Sequence, residues 1–422
     1  MIDILRKFMP QFMRGRRVTT HLRGVLSKLL LCRTAMLDGR TWECPQCATR
    51  CQVYNSCTDR HCPQCMGARR ATWLSKTSEL LLPNVNYFQV VFTLPDLFSP
   101  LILGNRKLLY DLLFHSAWQA IRQTLQTDSE IDPAAVMVLP TWNQELGHHP
   151  HLHALVPGGG PARDGSRWIA TQHPTQRRRT KPYLTDNSQL GAAFRDHFAA
   201  GFRRLVRTGK LRLTGAWADL WREEELNAWL AQVTDSPWNV FIEGPPHGKS
   251  DPSQVLKYLA RYLTGGPVGR QLVRPVSDRR VVQITAERVT FLARSKDKSA
   301  GNPLRECQLP GVEFVRRWAM HVLPKGYTRS RCYGGYHGAK RQAYLQLCRE
   351  LLPPPPPTDD GTTVDALPPA EDTMPCPKCE SAMLCTRNAP RPGWRDIFDR
   401  LIYADPKLYS PHFHLPHGAD DG

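Results

Sequence analysis

Thirteen cysteines constrain this chain more than any other feature, because they are clustered rather than spread. Seven lie between Cys32 and Cys65, three lie between Cys376 and Cys385, and Cys307, Cys332 and Cys348 stand apart. The block WECPQCATRCQVYNSCTDRHCPQCMGARR, Trp42 to Arg70, contains two Cys-x-x-Cys knuckles, Cys44/Cys47 and Cys62/Cys65. Cys51, Cys57 and His61 lie between or beside them. Paired knuckles at this separation let four thiolates converge tetrahedrally on Zn²⁺, and four protein ligands leave no open position for chemistry. The block is therefore expected to fold around a structural zinc. Cys57 and His61 are candidates to complete a second site with Cys32 or Cys51. Near the other end, Cys376, Cys379 and Cys385 form half a knuckle, expected to hold a further Zn²⁺ with Cys348 or one of His412, His414 and His417.

Charge narrows the partner. Lysine and arginine number 56 against 38 acidic residues, a net charge of +18 over 422 residues. Such an excess favours a polyanion, most simply nucleic acid. Around the cysteine block, Arg50, Arg60, Arg69 and Arg70 are candidate phosphate contacts. No stretch approaches eighteen uncharged apolar residues, which excludes a membrane span, and the N-terminus lacks the apolar core of a signal peptide. A cytoplasmic, reducing address is expected, where clustered cysteines favour metal over disulfides.

Periodicity predicts helices over Val18–Leu31, Ala68–Leu82, Leu101–Thr127, Leu190–Thr208 and Gln254–Leu263. Strands are predicted over Tyr87–Leu94, Ala134–Trp142, His151–Val156 and Trp238–Ile242, with a hairpin at Val281–Leu292. The alternation gives an α+β class. The domain layout expected is a helix and zinc ribbon-like domain over 1–82, a catalytic-type α+β domain over 83–350, a proline-rich linker over 351–375 and a tail over 376–422. Pro353 to Pro357 are five consecutive prolines, an extended spacer.

The segment GHHPHLHALVPGGG, Gly147 to Gly160, places four histidines within six residues. In a strand, side chains alternate faces, so His151 and His153 point together while Leu152 faces the core. Two imidazoles on one face are half of a divalent-metal site. Further on, VLKYLARYL sets Tyr258 and Tyr262 four residues apart on one helix face, beside the basic Lys257 and Arg261. Phenol oxygens are nucleophiles toward a phosphodiester that a metal polarises.

Taken together, FTLP at Phe92–Pro95, the His-hydrophobic-His strand and the later YxxxY follow the order of motifs in HUH single-strand nucleases. CRT at Cys32–Thr34, YNSC and RHCPQC within Tyr54–Cys65, TWNQ, HPHLHALVPGGG, YLARYL and HVLPKGYTRSRCYG at His321–Gly334 narrow it. The chain resembles the two-tyrosine rolling-circle transposases of bacterial insertion sequences, from about Leu22 to about Leu352. The resemblance implies an HUH domain with a ferredoxin- or RRM-like antiparallel sheet and flanking helices. It also implies nicking and rejoining of single-stranded DNA through a 5′-phosphotyrosine, with Tyr258 and Tyr262 as nucleophiles and Mg²⁺ or Mn²⁺ on His151 and His153. A third ligand is expected on the preceding strand, Gln144 or, with a one-residue slip, Glu145. A replication initiator and a non-catalytic zinc-containing DNA-binding protein are the alternatives.

Overall fold

The computed structural model describes residues 1–14, 16–173, 182–235, 238–245, 256–257, 280–294, 303–353 and 374–404. Its centre is a five-stranded sheet built on β3 (Tyr87–Thr93) and β5 (His151–Pro157). β4 (Ala134–Val138) and β12 (Ser330–Gly334) extend it on one side, β8 (Asn239–Glu243) on the other. The order is β12-β4-β5-β3-β8, and every neighbouring pair is antiparallel. Period-two alternation divides the faces. Phe88, Val90, Phe92, Leu152, Ala154, Val156, Ala135 and Met137 belong to the largest core. They are covered by α4 (Ser99–Gly104), α5 (Arg106–Ser129), α6 (Asn187–Arg207) and α7 (Glu223–Thr234), whose buried residues join the same cluster. Phe98 meets Phe198, Phe202, Trp229 and Trp238 edge to face in that layer.

Two predicted elements are shorter than expected. The single helix predicted over Leu101–Thr127 is broken between α4 and α5 at Asn105. Its amide donates to the carbonyls of Leu101 and Arg212 and accepts from the Arg212 N–H, so one side chain replaces the helical ladder. The strand predicted to reach Trp142 ends at Val138. Leu139 turns its N–H to the Arg329 carbonyl, and Pro140 has no N–H to continue the ladder.

A second lobe gathers the N-terminal residues and the described residues from 374 to 404. α1 (Ile2–Met13), not predicted, buries Ile4, Leu5, Phe8, Met9 and Phe12 beside α2 (Thr20–Leu31) and α8 (Gly311–Ala319). The Phe8 ring fills the place a side chain at Gly311 would take: a Cβ there would sit 2.2 Å from the ring. β9 (Val281–Ile284), β10 (Arg288–Arg294) and β11 (Leu304–Pro310) form a meander whose Phe291 packs on Phe314 of α8. A four-stranded sheet, order β13-β14-β1-β2, joins β1 (Gly39–Glu43) and β2 (Arg50–Tyr54) to β13 (Met374–Pro375) and β14 (Ala382–Asn388). α3 (Met66–Ser78) leads from this lobe to the central sheet; α9 (Arg341–Leu351) and α10 (Trp394–Ala404) complete the helices described. The helix predicted over Gln254–Leu263 lies outside the described residues apart from Leu256 and Lys257, as does the proline-rich stretch from 354 to 373.

Candidate active site and zinc centres

His151 and His153 are on β5, opposite Thr93 and Val91 of β3, with their rings 5.1 Å apart between centroids. Both point away from the face that carries Leu152 and Ala154, as the alternation requires. Burial holds both imidazoles neutral, lowering His151 to about 4 and His153 to about 2. His151 Nδ1 lies 2.8 Å from the His149 carbonyl, which can only accept. The proton is therefore on Nδ1, and Nε2 keeps its lone pair for a cation. His149 itself turns to Asp96, at 3.1 Å.

Gln144, the expected third ligand, stands at the exposed tip of a turn beyond the end of β4. Asn143 closes that turn by accepting from the N–H groups of Glu145 and Gly147, and Arg280 takes the Gln144 carbonyl. Glu145, the alternative, is ion-paired with Arg305. The residue that touches the pair is one the sequence reading passed over. Gln89, on β3 and 6% exposed, hydrogen-bonds His153 Nδ1 at 3.1 Å. A lone amide within the apolar run YFQVVFTL was its signal.

The remaining histidine of the motif supports the turn. His148 Nε2 meets the Tyr110 hydroxyl at 2.8 Å and its ring stacks on His321. His321 holds Thr141 Oγ1 through Nδ1 and the Leu146 carbonyl through Nε2. Burial lowers both histidines to about 3. The strand-to-strand connection that delivers His151 is thus braced by a neutral, buried polar network.

Tyr258, Tyr262 and Arg261 lie outside the described residues. Leu256, two residues before Tyr258, is 2% exposed in a cluster with Tyr87, Val136 and Leu155. Those three belong to the alternation phase of His153, since Leu155 follows it by two on β5 and faces Val136 of β4. Lys257 is exposed.

The cysteines assemble differently from the expected pairing. Cys62 and Cys65 converge with Cys32 and Cys57, all four buried. Cys44 and Cys47 converge instead with Cys376 and Cys379. In the first group Cys32 Sγ and Cys57 Sγ lie 3.5 and 3.6 Å from Cys65 Sγ. A tetrahedral tetrathiolate with Zn–S near 2.3 Å has edges of about 3.8 Å, so the donor set fits zinc. Cys32 ends α2, Cys57 follows β2, and Cys65 caps the start of α3, so one ion would pin three elements. His61 is not among these ligands: its Nδ1 faces Asp59 at 2.9 Å and its Nε2 accepts the Leu323 N–H at 3.2 Å. Cys385 lies on β14 across from Trp42 and bonds the Arg387 carbonyl, while Cys348 is on the buried face of α9. Neither joins a four-cysteine group. His412, His414 and His417 lie outside the described residues.

Of the basic candidates, Arg60 is part of the framework, donating to the carbonyls of Pro324 and Tyr327. Arg69 is exposed and reaches the Thr58 carbonyl; Arg70 is half-buried. A cleft of about 600 Å³ runs between α3 and the start of β12, lined by Arg60, Arg69, Lys76, Trp73, Arg329 and Ser330 among others. A second, of about 740 Å³, is lined by Arg16, Arg17, His21, Arg106, Lys107 and Arg316 with apolar residues between. No acidic residue lines either cleft among the described residues.

A helix–sheet protein with cysteine clusters fit for zinc, a neutral histidine pair and basic clefts is of the kind that handles nucleic acid, and similarity makes the class specific. Residues 4–94 match the transposase zinc-binding domain of the IS91 type, and residues 134–343 match the Y2_Tnp transposase family, described as "Putative transposase". The chain is 37% identical over 343 residues, 79% of each chain, to a Sinorhizobium fredii protein called "Putative transposase y4qJ". It is 30% identical over 251 residues to the transposase for insertion sequence element IS801 of Pseudomonas savastanoi pv. phaseolicola, covering 58% of this chain and 55% of that one. No solved structure matches. The chain belongs to the IS91/IS801 family of transposases. No helix among the described residues is long and apolar enough to cross a membrane.

Proposed function

We propose that the protein nicks and rejoins single-stranded DNA at the ends of an insertion sequence through a 5′-phosphotyrosine link, driving rolling-circle transposition on an HUH-type sheet. The observation that carries this reading is the histidine pair: two neutral imidazoles on one strand face, with the His151 tautomer fixed so that Nε2 is free to ligate. His151 and His153 would hold a divalent ion, Mg²⁺ or Mn²⁺, which when bound stabilises charge on the oxygens of the scissile phosphate. Gln89 orients His153; with its amide turned so that Oε1 accepts Nδ1–H, the lone pair of the His153 ring falls on the buried Nε2.

Tyr258 or Tyr262 supplies the nucleophile. The phenol gives up its proton, its oxygen bonds to phosphorus, and the P–O3′ bond breaks, leaving the 3′-oxygen to take a proton as a free hydroxyl. Two tyrosines four residues apart in the sequence allow one to keep the first 5′ end while the other cuts the next strand. The burial of Leu256 in the alternation phase of His153 supports this, because it ties the tyrosine segment to the histidine side of the sheet. The basic clefts supply phosphate contacts, with Arg69, Arg70, Lys257 and Arg261 as further candidates.

Incubation with a single-stranded oligonucleotide carrying the element's own terminus, plus Mn²⁺, tests the proposal. A protein–DNA adduct resistant to detergent is expected from the wild-type chain and not from Tyr258→Phe/Tyr262→Phe. An undiminished adduct in that double variant would overturn the assignment.

A further inference from the structure

The stretches Cys44-Pro45-Gln46-Cys47-Ala48-Thr49 and Cys376-Pro377-Lys378-Cys379-Glu380-Ser381 fold alike although Cys44 and Cys379 are 335 residues apart. In each, the first cysteine's N–H donates to the carbonyl of the sixth residue: Cys44 to Thr49 at 2.9 Å, Cys376 to Ser381 at 2.8 Å. In each, the fifth residue donates back to the first cysteine's carbonyl, at 2.9 Å in both. That fifth residue is left-handed in both, Ala48 at φ 53° and Glu380 at φ 61°. Neither is a glycine, and such a conformation persists in other residues only where its surroundings enforce it.

The two hairpins face each other across the β1–β14 ladder, and their sulfurs meet. Cys44 Sγ is 3.5 Å from Cys379 Sγ, and Cys47 Sγ is 3.5 Å from both Cys376 Sγ and Cys379 Sγ. All four lie within 4.8 Å of one another. These separations approach the edge of a tetrathiolate tetrahedron, about 3.8 Å. The apolar support beneath is small, chiefly Trp42 and Met383, which is little to hold a hairpin arriving from the far side of a proline-rich stretch.

We propose that Cys44, Cys47, Cys376 and Cys379 bind a second Zn²⁺, distinct from the ion of the Cys32 group, and that this ion fastens the C-terminal hairpin to the N-terminal sheet. Each cysteine ligates as thiolate, so binding to four thiols releases four protons to solvent and gives a site of net charge −2. Soft thiolate donors select zinc over Mg²⁺ or Mn²⁺, so this site and the histidine site take different ions from one mixture.

Zinc is counted on the purified full chain by mass spectrometry of the metal. Two ions per chain are expected from the wild type and from Cys385→Ser, whose sulfur lies outside the group. One is expected from Cys376→Ser/Cys379→Ser and from Cys44→Ser/Cys47→Ser, with faster tryptic cleavage at Arg387 of β14. One ion in the wild type, or two in either double variant, overturns the proposal. If the double variants cannot be recovered, the wild-type chain reconstituted with cobalt(II) gives the same answer: two tetrathiolate ions per chain support it, one overturns it.

Discussion

The cysteine lobe and the histidine face both gather metal-capable side chains, and they are built in opposite ways. In the lobe, the Cys32 group joins separate elements at the second core: Cys32 ends α2, Cys65 precedes α3, and Cys57 lies in the loop after β2. On the histidine face, the proposed ligands ride a strand whose opposite side is packed by a large aromatic core. The lesson is a separation of labour. Metal in the lobe would supply folding energy, whereas metal on the sheet would be bound by a scaffold that is complete without it.

The largest expected effect therefore falls on stability in the lobe. Cys62→Ser removes one of four buried ligands to an ion whose binding is worth about 10 kcal/mol or more in zinc-finger peptides. Loss of one zinc per chain and unfolding of the N-terminal lobe are expected, read by metal content and by proteolysis of residues 1–80. A variant that stays folded with its metal complement intact would break the contrast.

The mirror experiment is His151→Ala/His153→Ala. Strand cleavage should fall by at least about a hundredfold, while zinc content and lobe folding stay as in the wild type. Full cleavage activity would remove the histidine pair from the site. Gln89→Leu sharpens the same side with a smaller effect. Losing the partner that orients His153 should weaken Mn²⁺ binding about 10- to 100-fold, measured by titration, with zinc unchanged. Equal Mn²⁺ affinity in variant and wild type would reduce Gln89 to packing.

The brace behind the histidine turn is read through the pH dependence of stability. His321 is neutral in the fold, lowered to about 3 by burial, against an unfolded value near 6.5. Below pH 6.5 the unfolded chain binds a proton that the folded chain refuses, so stability falls with acidification until about pH 3. The slope from this one group is up to about 1.4 kcal/mol per pH unit. His321→Gln should flatten the acid limb of the unfolding free energy, read from urea titrations, by up to that slope. Parallel acid limbs would mean that His321 is charged in the fold or already neutral in the unfolded chain.

Sequence made some of this legible and hid the rest, for physical reasons. The histidine strand announced itself because period-two alternation is local: Leu152 in, His151 and His153 out. The third partner did not, because Pro140 ends β4 early and leaves Gln144 in a turn, while Gln89 comes from a strand 64 residues upstream of His153. Knuckle spacing likewise shows that two cysteines will share an ion, but not which second knuckle they will meet. Proximity in the chain suggested Cys62 and Cys65 for Cys44 and Cys47; the partners come from the other end of the molecule. The likeness of CPQCAT and CPKCES was the available clue. α1 carries a locally periodic apolar face, but the partners that bury it are α2 and, nearly three hundred residues later in the chain, α8 with Gly311.

A tyrosine on the segment beginning at Leu256 is expected to become joined to DNA on the histidine side of the sheet. Tandem mass spectrometry of the nuclease-trimmed adduct formed with Mn²⁺ and a single-stranded element terminus tests it most directly. The nucleotide should be found on the tryptic peptide bearing Tyr258 or on that bearing Tyr262. It should move to the remaining tyrosine in Tyr258→Phe and in Tyr262→Phe. A nucleotide carried by any other residue would remove both tyrosines from the chemistry.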